Sequence, residues 1–328
     1  MTTDSHPYSR LSQEDVMDAV EALGLYTDAR VFPLNSYENR VYQVGIEDDN
    51  PVIAKFYRPG RWSRESILEE HQFMLELQQE DIPVVAPLTF DERSLFDHKE
   101  FMFTLFPRRG GHAPELSSKQ DLELLGRWLA RIHQVGGWQE FQHRPRIAGA
   151  DDIRWAAETV LNSGMMPEDY RAVYESLWPQ LQTLVQQQFD GCDFRSIRLH
   201  GDLHTGNLLL RDEQLWLVDF DDCLQGPAMQ DIWMLLSGSR EEQLEQLEAI
   251  RQGYEMFRPF PYHELRLVEA LRTLRVMKYA AWLSQRWDDP AFPIAFPWFE
   301  GHRFWSEHLL TLREQVAALY EEPLALFG

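Results

Sequence analysis

The chain has 328 residues, of which 44% are hydrophobic and 26% charged, and its formal net charge is −22. These values are typical of an ordinary globular protein with one large domain or two lobes. The negative charge disfavours nucleic acid as the main partner, because binding to a nucleic-acid backbone depends on Lys and Arg side chains that neutralise phosphates. No apolar run approaches the roughly 20 residues that span a bilayer, so we expect no membrane segment.

The N-terminus and the cysteines indicate the cellular compartment. Residues 1–5 are polar and lack both the basic start and the apolar core of a secretion signal. The two cysteines, Cys192 and Cys223, do not form a C-x-x-C pair, which argues against a disulfide framework. We therefore expect a cytoplasmic protein and interpret Cys223 as a small packing residue.

The N-terminal part of the chain predicts a short helix followed by a sheet. A capping-box pattern begins at Ser12, and apolar residues at helical spacing follow it as far as Gly24. Two β-type runs, 41–44 and 52–57, flank a turn over 48–51 and predict a hairpin. We expect about five strands in this part, with further strands over the segments 84–88 and 101–106.

Lys55 lies inside the second run of the hairpin, where a strand favours apolar residues. A lone lysine of this kind is usually one whose charged end reaches water. The alternative is a lysine that contacts the phosphates of ATP and is held by a glutamate of the next helix. That helix is predicted over 63–80, and Glu69 and Glu70 both lie in its middle. We prefer Glu70, and Glu69 remains possible.

The loop before the hairpin, 34–40, occupies the position at which a kinase covers the phosphates of its nucleotide. It contains no glycine, although glycine allows a backbone to approach phosphate closely. Ser36 and Asn39 are therefore the candidates for nucleotide contacts, and Arg40 is a possible charge partner. From spacing alone, an ordinary polar turn is an equally good interpretation.

A connection between two lobes is predicted at Pro107, Gly110 and Gly111, because proline and glycine interrupt regular secondary structure. We place an N-terminal nucleotide-binding lobe at 1–107 and a helical catalytic lobe at 108–328, with the hinge near 103–110. Backbone groups of Phe103 and Leu105 would then face the adenine of the nucleotide.

The remainder of the chain is predicted to be mostly helical. Apolar residues at helical spacing indicate helices over 118–136, 241–257, 264–287 and 301–320, and one or two helices over 151–190. His133 is expected to be packed, and Asp231 is expected to begin a helix and to hold the catalytic loop. Trp282, Trp287 and Trp305 are interpreted as core residues, as is Trp298.

The most informative segment is 198–222, which contains Asp202, Asn207 five residues later, and Asp219 at the end of an apolar run. Phosphoryl transfer uses such a set: one carboxylate accepts the proton of the attacking hydroxyl, while an amide oxygen and a second carboxylate hold Mg²⁺. We predict Asp202 as the base, Asp219 as a catalytic metal ligand and Asn207 as a second ligand. A transition-metal cluster that uses His200 and His204 is a rival interpretation.

With these residues in order, the chain resembles the aminoglycoside phosphotransferase and choline kinase branch of the protein-kinase-like fold. Longer blocks resemble the stress response kinase A family of bacterial serine/threonine protein kinases, and they lie at 35–43, 55–59, 69–73, 199–202 and 289–293. The resemblance extends over about residues 33–299. The His200–Asp202 tripeptide is common to the whole superfamily, whereas the first and last blocks are more specific.

The resemblance implies an α+β fold of two lobes, with an N-terminal antiparallel five-stranded sheet and a helix, and a larger helical lobe. It implies ATP and Mg²⁺ as cofactors and Ser36 at the ATP site. It also implies phosphorylation of serine and threonine hydroxyls, including the protein's own, in a stress response by a cytoplasmic monomer. The chain departs from ordinary protein kinases at Gly201, where those enzymes have an arginine.

Two other functions remain open at this stage. A kinase of a small amino alcohol or aminoglycoside-like amine would have the same fold and site residues, and the acidic composition mildly favours it. A nucleotide-binding scaffold without turnover is disfavoured, because the set of catalytic residues is complete.

Overall fold

The computed structural model describes residues 8–116, 118–212 and 214–326. These residues form two compact units. The first is built from described residues within Met1–Ser117, Gln134–Pro145 and His200–Leu224, and the second from those within Ser118–His133, Arg146–Leu199 and Gln225–Gly328. The division of the chain into lobes at 1–107 and 108–328, expected from the sequence, stays a prediction. The segment 202–219 belongs to the same compact unit as the N-terminal sheet.

A five-stranded antiparallel sheet dominates the first unit, as expected. Its spatial order is β1-β2-β3-β5-β4, and its strands are β1 Thr27–Pro33, β2 Arg40–Ile46, β3 Asp49–Phe56, β4 Phe96–His98 and β5 Phe101–Pro107. Alternate residues of β5, namely Phe101, Phe103 and Leu105, join one hydrophobic cluster. This period of two places one face of the strand on the core.

The expected hairpin is present, and its details differ from the prediction. β2 and β3 pair antiparallel, with Val41 opposite Lys55. Pro51 lies within β3, so the turn is shorter than the predicted 48–51. The strand predicted over 84–88 is wrong, because Val84 makes only an isolated bridge with Leu217. β1 and β4, which the sequence analysis missed, complete the sheet.

Helices of the first unit begin where capping residues occur. Helix α1, Gln13–Glu21, follows Ser12, and the capping box with Asp15 is formed. Helix α2, Arg64–Gln79, follows Ser63, whose hydroxyl accepts a hydrogen bond from the Ser66 backbone N–H. These side chains satisfy N–H groups that the first turn of a helix leaves unpaired.

The catalytic segment, residues 200–222, carries the predicted catalytic residues and contains short strands and turns of the first unit. Strands β7, Leu208–Arg211, and β8, Gln214–Leu217, pair antiparallel. Short 3₁₀ helices lie at Thr205–Asn207 and Phe220–Asp222, one before this hairpin and one after it. Asn207 and Asp219 are therefore brought to the same end of the hairpin.

The second unit is mainly helical. Strands β6, Ile197–Leu199, and β9, Leu224–Gly226, flank the catalytic segment along the chain. The helices are α3 Lys119–Gly136, α4 Ala150–Ser163, α5 Glu168–Asp190, α6 Met229–Trp233, α7 Arg240–Tyr254, α8 Val268–Arg286, α9 Ala291–Ala295 and α10 His302–Ala318. No described helix has the length and apolarity that a membrane crossing requires.

Aromatic and buried polar residues of the second unit mostly follow the predictions. Trp305 is fully buried, whereas Trp298 is 43% exposed, so the expectation of four core tryptophans is wrong for Trp298. His133 is fully buried, and its Nε2 lies 3.3 Å from Asp231 Oδ2. Asp231 lies in the first turn of α6 as its third residue, whereas the helix itself begins at Met229, two residues earlier than expected.

Candidate active site

Lys55 is buried in the sheet with its charged end directed at carboxylates. It pairs with Thr104 across β3 and β5, and only 6% of the residue is exposed. Its Nζ lies 2.9 Å from Asp221 Oδ1, 3.4 Å from Glu70 Oε1 and 3.7 Å from Asp219 Oδ1. The interpretation of Lys55 as a lysine that reaches water is therefore wrong.

The structure distinguishes the two neighbouring glutamates of α2. Glu70 is fully buried and contacts Lys55. Glu69 instead accepts hydrogen bonds from the backbone N–H groups of residues 142–144, at 2.6, 2.9 and 3.0 Å. Successive residues of a helix point about 100° apart, so only one of the two can face the sheet. Glu70 is the partner of Lys55.

Asp221 is the nearest carboxylate to Lys55, and the sequence analysis gave it no role. Burial alone would raise the pKa of Asp221, but Arg61, Lys55 and Arg144 hold it well below its usual value. Burial raises the pKa of Glu70, with Lys55 only partly opposing this effect. Asp221 is also nearer to Lys55 Nζ, at 2.9 Å against 3.4 Å for Glu70, and we therefore regard it as the stronger anionic partner of Lys55.

The charge of Lys55 follows from the same balance. Burial would lower its pKa, but Asp221 and Glu70 outweigh the loss of solvent, and the pKa is raised well above its usual value. An opposite charge at this distance favours the ionised form. Lys55 is therefore a permanent cation at neutral pH.

Two buried arginines that the sequence analysis missed complete this cluster. Arg144 donates from Nε to the Cys223 carbonyl at 2.9 Å, and its Nη1 lies 3.8 Å from Glu70 Oε2. Arg61 forms ion pairs with both Asp221 and Asp222. Neither arginine belongs to a catalytic motif. The available signal was the excess of carboxylates in 219–222, which need cations when buried.

Asp202 and Asn207 lie together beside the strand that leads to Asp219. Asn207 donates from Nδ2 to the Asp202 backbone carbonyl at 2.9 Å, and its Nδ2 lies 3.5 Å from Asp202 Oδ2. The Val218 backbone N–H donates to the Asn207 carbonyl at 3.0 Å. These bonds hold the Asn207 side chain against Asp202, and the Asn207 backbone against the residue that precedes Asp219.

Asp219 has a backbone conformation that directs its side chain outwards. Its φ is 61° and its ψ 68°, a left-handed conformation that is uncommon for residues other than glycine. Its side chain is 59% exposed, although Lys55 lies only 3.7 Å away. Backbone strain of this kind is concentrated at functional sites, and here it leaves a carboxylate open to a ligand.

His200 holds the catalytic loop against the β8 segment. Its ring Nε2 donates to the Val218 carbonyl at 3.0 Å, and its Nδ1 accepts from the Asp202 N–H at 3.4 Å. Both ring nitrogens are thus committed to the backbone, and the ring is fully buried. A metal shared by His200 and His204 does not fit this geometry, so that interpretation is wrong.

The loop before β2 is held by arginine and asparagine side chains. Asn39 is 4% exposed, and its Oδ1 accepts the Arg58 backbone N–H at 3.1 Å. The Arg58 side chain donates to the carbonyls of Tyr37 and Glu38 at 3.3 and 3.0 Å. Ser36 is half-buried in this loop. The nucleotide contacts of Ser36 and Asn39 stay predictions.

Phe103 and Leu105 lie in paired strand, not in a connector. Phe103 stacks on Phe56 with ring centroids 5.2 Å apart, and Leu105 is fully buried. The Leu105 carbonyl accepts the Leu88 N–H at 2.7 Å. Because β5 continues through Pro107, the irregular connection begins at Arg108, later than expected. Adenine contacts at Phe103 and Leu105 stay a prediction.

Known proteins resemble this chain in sequence along almost its whole length. Residues 30–268 match the model of the phosphotransferase enzyme family. Over 326 residues the chain is 41% identical to stress response kinase A of Escherichia coli strain K12, covering 99% of both chains. A Salmonella typhimurium relative of equal identity and coverage is named serine/threonine protein kinase RdoA.

The chain belongs to the stress response kinase A family. It is accordingly a kinase, and the resemblance seen in its motifs is confirmed. Solved structures agree in fold. An amicoumacin kinase complex covers 98% of this chain and 97% of its own, with a TM-score of 0.74 and 20% identity. For a microcompartment-associated aminopropanol kinase the coverages are 93% and 96%, with a TM-score of 0.64 and 20% identity. The expected two-lobe α+β kinase fold is confirmed.

Proposed function

We propose that this kinase transfers the γ-phosphoryl group of ATP to serine and threonine hydroxyls of proteins, its own included. The observation that carries the proposal is the joint placement of Lys55, Glu70 and Asp219 within one ion-pair cluster, next to the Asp202–Asn207 pair. The name of the Salmonella relative supports a protein acceptor. Action as a cytoplasmic monomer in a stress response is part of the same proposal.

The residues present fit a magnesium site of the kind that kinases use. Because the Asn207 amide nitrogen is bonded to Asp202, the amide oxygen is the atom available to a cation. Asp219 offers an exposed carboxylate. Magnesium usually takes only one or two protein carboxylates and keeps several waters. Among the described residues, no group of three or more His, Cys, Asp or Glu side chains is arranged to hold a metal.

Each residue then has a defined task. Asp202 orients the acceptor hydroxyl and takes its proton, and Asn207 keeps that carboxylate in place. Lys55 supplies a fixed positive charge for the phosphates, and the buried Glu70 and Asp221 hold it. Magnesium bound at Asn207 and Asp219 would neutralise charge on the phosphates. Catalysis of this type depends on positioning and on charge stabilisation rather than on covalent chemistry.

The deciding experiment incubates the purified protein with labelled ATP and Mg²⁺, with and without a generic basic protein. Asp202→Ala is the control. Label on the acceptor or on the enzyme, absent with Asp202→Ala, would support the proposal. If ATP is consumed only when small amines or alcohols are added, the protein is a small-molecule kinase, which the net charge of −22 favours. If neither occurs, the proposed function is refuted, and a nucleotide-binding scaffold becomes the first interpretation to test.

A binding measurement separates the two carboxylates. Asp219→Ala is expected to lose Mg²⁺-dependent binding of ATP, because it removes a metal ligand. Asp202→Ala should retain binding, because its carboxylate acts on the acceptor. Calorimetric titration of both variants tests this assignment, and equal loss of affinity in the two would contradict it.

A further inference from the structure

Arg61 lies in the segment between β3 and α2 and meets three carboxylates. Its side chain is 12% exposed. Nη1 pairs with Asp221 Oδ2, and Nη2 lies 2.5 Å from Asp222 Oδ1. Nε lies 3.6 Å from Glu38 Oε1, which Arg58 Nε also approaches, at 3.1 Å. A guanidinium carries five donors in a fixed plane, so a single arginine can hold all three groups.

The three carboxylates belong to two segments that are distant in sequence. Glu38 lies in the loop 34–39, directly before β2. Asp221 and Asp222 lie two and three residues after Asp219, the predicted metal ligand. Arg61 is therefore a physical connection between the loop that would cover the phosphates and the segment that would hold the metal.

Two further observations indicate why such a connection is needed. The loop 34–39 has no glycine. Its backbone is held by a side chain from outside the loop, because Arg58 donates hydrogen bonds to two of its carbonyls. Asp221 is also shared with Lys55, at 2.9 Å. A displaced Arg61 would leave Asp221 with fewer cations and would change how Lys55 is held.

We propose that Arg61 is a positioning residue that couples the loop 34–39 to the Asp219 segment and so shapes the nucleotide site. This inference rests on the proposed function of that site. It assigns to Arg61 no contact with the reacting atoms. Its action is to hold Glu38 at one nitrogen and the two aspartates at the others, so that both sides of the site are placed together.

A double-mutant cycle tests the coupling. Glu38→Gln and Asp222→Asn each remove one carboxylate from Arg61 while keeping the size of the side chain. We expect their effects on the dissociation constant of AMP-PNP with Mg²⁺ to be non-additive by about tenfold, as for residues of one ion-pair network. In an Arg61→Met background the non-additivity should fall below about twofold. Additive effects in the wild-type background would overturn the proposal.

Arg61→Lys is the conservative variant. Lysine keeps the charge but lacks the planar fork, so we expect an affinity between those of wild type and Arg61→Met, with weaker coupling. Full coupling with lysine would overturn the role of the fork. Should Arg61→Met fail to fold, the wild-type cycle and Arg61→Lys still decide. Arg64→Met is the matched control, because Arg64 pairs with Asp97 at the surface, with side chains 43% and 59% exposed.

The same cycle is measured as free energy of unfolding in urea, without nucleotide. Coupling in unfolding but none in nucleotide affinity would show that Arg61 is merely structural, and the inference would be wrong. Wild-type protein that does not bind AMP-PNP would refute the proposed function instead. The unfolding cycle would then still decide whether Arg61 joins the two segments.

Discussion

Two groups of charged residues in the first unit differ in how they meet solvent. Lys55, Glu70 and Asp221 are nearly or fully buried and are surrounded by opposite charges. The side chains of Asp202 and Asp219 are 22% and 59% exposed. Breaking a buried pair leaves an uncompensated charge, whereas an exposed carboxylate can be removed at small cost. We therefore expect the buried group to preserve the shape of the site and, under the proposed function, the more exposed group to act on ligands.

The largest expected effect is on turnover when the exposed group is altered. Asp202→Ala should lower the rate of phosphoryl transfer by about 10²–10⁴-fold, the contribution of a positioned general base. Its free energy of unfolding should change by less than about 0.5 kcal/mol. Labelled-phosphate transfer and urea unfolding measure the two quantities. A large loss of stability with unchanged turnover would show that Asp202 supports the structure and does not take part in the transfer.

The buried group should show the opposite pattern. Glu70→Ala removes the buried carboxylate beside Lys55 and Arg144 and leaves Asp221, which Arg61 also shares, as the buried carboxylate that opposes these cations. We expect a loss of roughly 3–5 kcal/mol of stability. Glu69→Ala is the matched control one residue away. It removes hydrogen bonds from three backbone N–H groups, two of them exposed, and should cost roughly 1–2 kcal/mol. Urea unfolding of both variants is the measurement, and equal losses would contradict the assignment of Glu70.

A third test concerns the backbone between the two groups. Gly201 has φ +85°, and a Cβ there would lie 2.3 Å from the Asp222 carbonyl oxygen. Gly201→Ala should therefore shift the catalytic loop, costing roughly 1–3 kcal/mol of stability and much of the activity. Gly24 has the same φ and nothing within 4 Å, so Gly24→Ala measures the cost of φ alone. Similar activity losses in both variants would refute the explanation.

The smallest expected effect comes from a buried carboxylate in the second unit that is bonded chiefly to backbone. Glu264 accepts the Met229 N–H at 2.8 Å, and burial raises its pKa to about 7. The folded state thus binds a proton more tightly than the unfolded state. This contribution to stability is present below about pH 4.5 and is lost as the pH rises to about 7.

Glu264→Gln should remove that dependence, which amounts to roughly 1–3 kcal/mol between pH 4.5 and 8. Urea unfolding of wild type and variant at pH 5 and pH 8 provides the measurement. A wild-type protein that gains stability over this interval, relative to the variant, would contradict the sign. Glu264 and Asp221, both buried, have pKa values shifted in opposite directions. The pKa of Glu264 is raised, whereas the cations around Asp221 lower the pKa of that carboxyl.

The sequence by itself determined the elements whose signals are local. Helix starts at Ser12 and Ser63 follow from side chains that cap neighbouring N–H groups, and the β2–β3 hairpin follows from two β-type runs on either side of a turn. The set Lys55, Asp202, Asn207 and Asp219 was recognisable because phosphoryl transfer requires those residue types in that order. Family membership followed from the same blocks.

Only the tertiary structure decided matters that depend on distant partners. Glu69 and Glu70 are identical in chemistry, and only the packing of α2 against the sheet directs Glu70 to Lys55. Arg61, Arg144 and Asp221 carry no motif, and their importance arises because burial forces each charge to find an opposite charge. The strand predicted over 84–88 is wrong for the same physical reason: β propensity is local, whereas pairing depends on which strands the fold brings alongside.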